Sequence, residues 1–403
     1  MSEHQALENL TILDLTRVLA GPFCTMMLAD MGARVIKIEV PSGGDDTRAY
    51  PPFRDNVNGE RESLYFANIN RNKQGITLNL KTPDGKELFK RLVKTADIVV
   101  ENYRPGVMDK LGLGYDVLNE INPRLIYGSV SGFGNTGPYR LRPGYDILAQ
   151  AMGGLMSITG MPGGPPTRAG SALGDILGGL HLTIGLLAAV NARSITGEGQ
   201  RVDISLMDSV IAATENTAIK YLESGKIPPR MGNRYAAVSP YDAFQVKDGK
   251  IIIACGNQKL FEKLCAEVLE RPDMIADPRF SDMVGRLEHQ DAIQAVIEDK
   301  LKDLTMCEAV DLILSRGIPA GPINDIRQVL EDPQVKQRDM FVQMQHPTLG
   351  QITVNGCAVK LEDTKPCIRT PAPALGQDNP AVYEDELGLT EAEYAELKEK
   401  GVF

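Results

Sequence analysis

Two short β-branched runs bracket a helical stretch within the first forty residues, and this spacing constrains the fold more than any other feature. Residues 10–16 (LTILDLT) read as a strand, Ala20-Gly21-Pro22 breaks it, FCTMMLADMGA carries helical spacing up to Gly32, and RVIKIEV at 34–40 is a second strand. Strand, helix and strand within about 30 residues make a βαβ unit, which implies a parallel sheet with right-handed crossovers. The pattern repeats: residues 75–80 (GITLNL) predict a strand, 82–96 a helix with Pro83 near its start, and 97–102 and 124–131 two further strands. The fold class is α/β.

At 403 residues the chain exceeds the size at which one core usually splits. The expected organisation is a large α/β domain over 1–225, a smaller α+β domain over 226–330, and a return to the large domain over 331–403. The Pro- and Gly-rich KIPPRMGNRYAAVSP marks one crossing, and a second falls near 320–345. A hairpin around Asp248-Gly249, helices from Lys259 to about Arg316, a hairpin around Gly350 and a last helix, TEAEYAELKEKG, complete the outline. The Pro- and Ala-rich segment 365–380 reads as either an ordered strap or a disordered stretch. The helix that begins at Asp175 is apolar on nearly every face, so it is expected to be covered on all sides. Its apolar run, 176–190, is short for a bilayer, which needs about 20 residues.

Composition removes several function classes. A formal net charge of -10 argues against an extended nucleic-acid surface, while a local Arg/Lys cluster can still hold a small anion. The six cysteines form no CxxC pair, which fits reduced thiols in a cytoplasmic protein and no metal site. The N-terminal MSEHQALENL has neither a basic n-region nor an apolar h-region, so no secretory leader and no membrane partner are expected.

Residues 132–137 match GxGxxG after a strand, but Pro138, Arg140, Arg142 and Pro143 follow where a pyrophosphate-binding helix must open. A nicotinamide enzyme is therefore not expected. There is no GxSxG, HExxH or Walker A motif, and the four histidines have no ligand spacing. His181, on the apolar helix, reads as a satisfied core histidine. What remains is Asp175, at or near the N-cap of that helix. It is either a plain structural cap or an ionised nucleophile left open by Gly174, Gly178 and Gly179.

The blocks LDLTRVLAGPFCTMMLADMGARVIKIE (13–39), SLYFANINRNKQGITLNLKTPDGKELF (63–89), DIVVENYRPGVMDKLGL (97–113), RPGYDILAQAMGG (142–154), GSALGDILGGLHLTIGLLAAV (170–190) and TGEGQRVDISLMDSV (196–210) resemble the class III CoA-transferases over nearly the whole chain. The resemblance implies a large Rossmann-like domain built from both chain ends, a smaller domain between them, and an interlocked homodimer. It places the family's nucleophilic aspartate on Asp175, which would move CoA from an acyl-CoA to a small carboxylic acid through an aspartyl anhydride and an enzyme-CoA thioester. The CoA thioester is the substrate, and no permanently bound cofactor is expected. The family's CoA-contacting positions fall on Val18, Leu19, Ala20, Leu78, Asn79, Leu80, Lys81, Asn102, Tyr103, Arg104, Lys110 and Tyr145.

Lys81, Arg104 and Lys110 suit phosphates, or else form an ordinary solvated face, while Tyr103 and Tyr145 suit stacking or hydrogen bonding. Leu19 stands where the formate/oxalate branch has a glutamine and Val40 where it has an arginine, which leaves the acid undetermined. A racemase-like α-proton exchange is disfavoured because Gly144-Tyr145-Asp146 lacks the imidazole of the related Gly-His-Asp motif. A noncatalytic CoA-binding subunit would have no need of Asp175.

Overall fold

Strands buried on both faces run as continuous apolar stretches between helical layers. In the computed structural model, which describes His4–Phe403, six strands form one sheet, its inner strands buried and its edge strand over Arg201–Ser205 exposed at Arg201 and Asp203. Met1, Ser2 and Glu3, the start of the stretch read as leaderless, lie outside the described residues. The strands are β1 (Thr11–Asp14), β2 (Arg34–Glu39), β3 (Lys73–Thr77), β4 (Ile98–Glu101), β5 (Ile126–Ser131) and β6 (Arg201–Ser205). Their order is β3-β2-β1-β4-β5-β6, with every neighbouring pair parallel. This is the doubly wound arrangement, whose order reverses between β1 and β4, where ligand crevices open at the carboxyl ends of the strands.

Alternate residues of β1 and its flanks serve two cores. Leu13 and Leu15 join Leu88, Phe89, Tyr383 and Val402 on one face, while Leu10 and Ile12 join Cys24, Leu28, Leu182 and Leu186 on the other. The second core is covered by helix α1 (Ala20–Asp30) and by a 24-residue helix over Leu173–Thr196. The first holds helix α2 (Pro83–Val93), started by Thr82, whose Oγ1 accepts the Gly85 N–H, with proline in its first turn. Helix α3 (Val107–Leu111) follows β4, and helix α4 (Asp146–Met152) precedes the long helix, α5. Between Gly137 and α4 the chain has no helix, so the GxGxxG stretch lacks the helix a pyrophosphate site requires.

Three expectations are corrected. Strand β3 begins at Lys73, two residues before the apolar run, and ends before Leu78, because a buried Lys73–Asp14 ion pair carries the charged residue into the sheet. Helix α5 is not covered on all sides within the chain. Gly178, Gly179, Leu182, Leu186 and Ala189 face inward, but Ile184 is 64% and Ile195 79% exposed, since helical geometry turns the opposite stripe away from the sheet. By length and composition alone α5 also passes as a membrane-crossing helix. His181 is not a satisfied core histidine, for its Nδ1 is buried with no hydrogen-bond partner.

Segment 365–380 is an ordered strap on the outer edge of β3. Asp378 accepts the Gly75 N–H, Asn379 brackets Thr77, and the Tyr383 hydroxyl donates to the Thr77 carbonyl. These bonds occupy an edge that would otherwise offer unpaired backbone groups.

Two compact units emerge: Met1–Leu155 with Arg168–Ile219 and Pro333–Phe403, and Met156–Thr167 with Lys220–Asp332. Segment Met156–Thr167, left in the large domain by the sequence reading, groups with the smaller unit. The smaller unit carries an antiparallel sheet of Tyr241–Gln245, Lys250–Ala254 and Ala320–Pro322, with the hairpin turning at Asp248-Gly249. Phe244, Ile251, Phe261, Ile297 and Ile313 are in its core.

Candidate active site

A cavity of about 290 Å³ opens where β1, β4 and β5 end, at the point where the sheet order reverses. Its walls come from the chain just past each strand: Arg17 to Ala20 after β1, Asn102 to Arg104 after β4, and Ser131 and Gly132 at the end of β5. Asp46, Arg142 to Tyr145, Asp175 and Leu206 add further lining. Gly132 and Gly144 cross so closely that a Cβ on Gly132 would lie 2.5 Å from the Gly144 Cα. The first glycine of the GxGxxG stretch thus allows a backbone crossing beside Tyr145.

Asp175 is the third residue of α5, and Ala172 is the N-cap. The structural-cap role belongs to Asp146, whose Oδ1 accepts the Gly174 N–H at 2.7 Å and the Asp175 N–H at 3.4 Å. Gln150 donates to Asp146 at 2.8 Å and accepts from Ala169, so α4 braces the start of α5. The Asp175 carboxyl, relieved of capping, borders the cavity and accepts no hydrogen bond among the described residues. Burial, then the nearby Asp146 carboxylate, pushes its pKa up to about 7. This corrects the expectation of a carboxylate held ionised by the helix end: without a donor on the side chain, desolvation prevails.

The structure brings Val18, Leu19, Ala20, Asn102, Tyr103, Arg104 and Tyr145 into this cavity with Asp175. Their roles differ. Asn102 accepts the Arg17 N–H at 2.8 Å and donates to the Arg17 carbonyl at 2.6 Å, so it fixes the backbone of the neighbouring wall. Burial raises the Tyr103 phenol to about 12, which keeps it a neutral hydrogen-bonding group. Tyr145, 70% exposed, is the N-cap of α4 and its ring is open to a ligand.

Leu78, Asn79, Leu80, Lys81 and Lys110 do not line the cavity. Leu78 and Leu80 are core residues, Asn79 receives its place from the Val402 carbonyl, and Lys81 and Lys110 are exposed.

Sequence reasoning misses Arg17, Arg142 and the capping role of Asp146. Arg17 sits inside the LDLTRVLAGP block and Arg142 opens the RPGYDILAQAMGG block, neither with a role assigned from the sequence. In the structure Arg17 pairs with Asp46 at 2.6 Å, yet its Nε is buried without a partner. Arg17, Arg104 and Arg142 all line the cavity, with the Arg17 charge offset by Asp46 and the Arg142 guanidinium stacked 3.7 Å over the Tyr139 ring. Such a site suits an anionic substrate with an electrophilic carbonyl.

The chain matches the model of CoA-transferase family III over residues 7–379. It is 41% identical over 380 residues to acetyl-CoA:oxalate CoA-transferase of Acetobacter aceti, covering 94% of this chain and 95% of that one. It is 38% identical over 403 residues to succinyl-CoA:glutarate CoA-transferase of Homo sapiens, covering 100% and 91%. Among solved structures it is similar to a CAIB/BAIF family protein from Brucella suis, with a TM-score of 0.84 and 40% identity over 95% of this chain and 100% of that one. The match to the family model and these relatives of near-equal length agree with the carboxyl-bearing cavity: this chain belongs to CoA-transferase family III.

Proposed function

We propose that this protein transfers CoA from an acyl-CoA to a free dicarboxylic acid, with Asp175 as nucleophile. The observation that carries the reading is the division of labour at the start of α5: Asp146 caps the helix, and the Asp175 carboxyl is left without a bond at the cavity wall. The Asp175 carboxylate attacks the acyl carbonyl, the C–S bond breaks, and CoA leaves as thiolate, giving a mixed anhydride. The thiolate then attacks the Asp175 carbonyl and releases the donor acid as carboxylate, leaving an enzyme-CoA thioester. The acceptor carboxylate attacks that thioester to form a second anhydride, and CoA thiolate attacks its acyl carbon, regenerating Asp175. No net proton or electron is exchanged, and thioester energy is conserved through each covalent step.

Val18, Leu19, Ala20, Asn102, Tyr103, Arg104 and Tyr145 serve the CoA thioester end of the site, and exposed Lys81 and Lys110, outside the cavity, are the candidates for the CoA phosphates. A dicarboxylic acceptor is supported by the acids in the relatives' names, oxalate and glutarate, and by the arginines that line the cavity, of which Arg104 has no ion pair among the described residues. The same reading includes an interlocked homodimer in the cytoplasm. Exposed Ile184 and Ile195, on one stripe of α5, support the dimer, since a contiguous apolar stripe left open marks an interaction surface. The test is CoA transfer between succinyl-CoA and a panel of dicarboxylates. Asp175→Ala is expected to fall to the rate without enzyme, and a mutant that retains transfer defeats the reading.

A further inference from the structure

Val18 has φ 67°, a left-handed conformation that is an outlier for a β-branched residue and persists only where neighbours impose it. Its N–H donates to Asp45 Oδ1 at 3.2 Å. The Asp45 side chain is wholly buried and pairs through Oδ2 with Lys37 Nζ at 2.8 Å. Lys37 also donates to the Thr16 carbonyl at 3.0 Å, so one ammonium holds the loop on both sides of its turn. Asp45 is itself fixed: its N–H donates to Glu39 at 2.8 Å, and Thr47 donates to its Oδ1 from N–H and hydroxyl. Lys37 and Glu39 both belong to β2, so a central strand of the sheet anchors the clamp.

The clamped turn delivers Leu19 and Ala20 to the cavity. Val18 and Leu19 pack in one cluster with Ala172 and Ile176, which flank Asp175 along the chain. We propose that Asp45, held by Lys37, is a positioning residue that keeps Val18 in its left-handed conformation and so sets the cavity wall that Val18, Leu19 and Ala20 form. Asp45 does not itself line the cavity. Its effect passes through the backbone of Val18, and small misplacements of such a wall are felt in kcat more than in binding.

Glycine adopts the left-handed region freely, so Val18→Gly makes the clamp dispensable if this account holds. The experiment compares wild type, Asp45→Ala, Val18→Gly and the double variant. Asp45→Ala is expected to lower kcat by about tenfold to a hundredfold with KM changed less than about threefold. In the Val18→Gly background the same substitution is expected to cost less than about threefold. Equal losses in both backgrounds, or no loss in either, overturn the proposal, because a merely structural role for Asp45 is not rescued by glycine at position 18.

Should Asp45→Ala fail to fold with Lys37 left buried and unpaired, the comparison moves to a Lys37→Met background. There Asp45→Asn, which retains an acceptor for Val18, is expected to keep kcat within about fivefold of the Lys37→Met parent, and Asp45→Leu to lose more unless residue 18 is glycine. Loss with Asp45→Leu regardless of residue 18 overturns it again. The rate readout rests on the CoA-transfer reading. If wild type transfers no CoA, that reading has failed, and the clamp is still judged by whether Asp45→Ala and Val18→Gly shift urea midpoints non-additively.

Discussion

A carboxyl group must lose its proton before it attacks a thioester, and Asp175 is placed where losing it is hard. Burial first, and the Asp146 charge second, raise its pKa to about 7 from an ordinary 3.8. The rate constant kcat/KM is therefore expected to rise about tenfold per pH unit up to about 7 and to level above it. Asp146→Asn, which keeps an acceptor oxygen for the helix start but removes the charge, is expected to move that midpoint toward acid by less than burial moves it the other way. A midpoint unmoved by the substitution would show that Asp146 exerts no field on Asp175. Stability carries the opposite sign: with a folded pKa above the unfolded one, the group's contribution is fully present below about 3.8 and lost as pH rises through about 7. Asp175→Asn is expected to flatten that part of the stability profile in urea unfolding from pH 4 to 8. The candidate nucleophile was legible in the sequence through resemblance, and its position before an apolar helix agreed. Its protonation was not, because both causes are tertiary: the burial of the carboxyl, and the charge of Asp146, 29 positions away in the chain.

Helix packing sets how close the two sides of the site come. A Cβ on Gly179 of α5 would lie 2.7 Å from the carbonyl oxygen of Ala20 at the start of α1, a backbone atom that has no rotamer to change. Gly→Ala inside a helix ordinarily stabilises by about 1 kcal/mol. Overpacking costs about 1–3 kcal/mol and is expected to prevail here, so Gly179→Ala should lower the denaturant midpoint and, by separating Ala20 from α5, lower kcat as well. A stabilised variant would mean the helices yield without cost. The βαβ spacing, the helix after Thr82 and both hairpins were legible because period and turn chemistry are local signals. The start of β3 was not, since Lys73 enters the sheet only because Asp14, Thr25 and Asn70 meet its ammonium inside the fold. The uncovered face of α5 was illegible for a related reason: an all-round apolar helix does not record whether its own chain or another covers each stripe.

At the scale of the whole molecule, the chain leaves its large unit, returns, and ends on the edge of the sheet it began. Residues 378–383 pair with β3, and Asn79 donates its N–H to the carbonyl of Val402. A chain of 43.9 kDa with apolar stripes open on α5 is expected to elute as a dimer of about twice that mass in light scattering, with no folded monomer on dilution. A stable folded monomer at low concentration would rule out interlocking. The first boundary between the units falls at Ile219–Lys220, before the Pro/Gly-rich stretch that begins at Lys226, so turn chemistry does not mark it. The return of Met156–Thr167 to the smaller unit was not read from the sequence either.

The central claim is covalent, and intact-mass measurement tests it most directly. Wild type mixed with succinyl-CoA and other acyl-CoAs is expected to gain the mass of CoA less water, the adduct being cleaved by hydroxylamine and absent from Asp175→Ala. No adduct across the panel, or an adduct that survives in Asp175→Ala, would contradict the assignment of Asp175 as nucleophile.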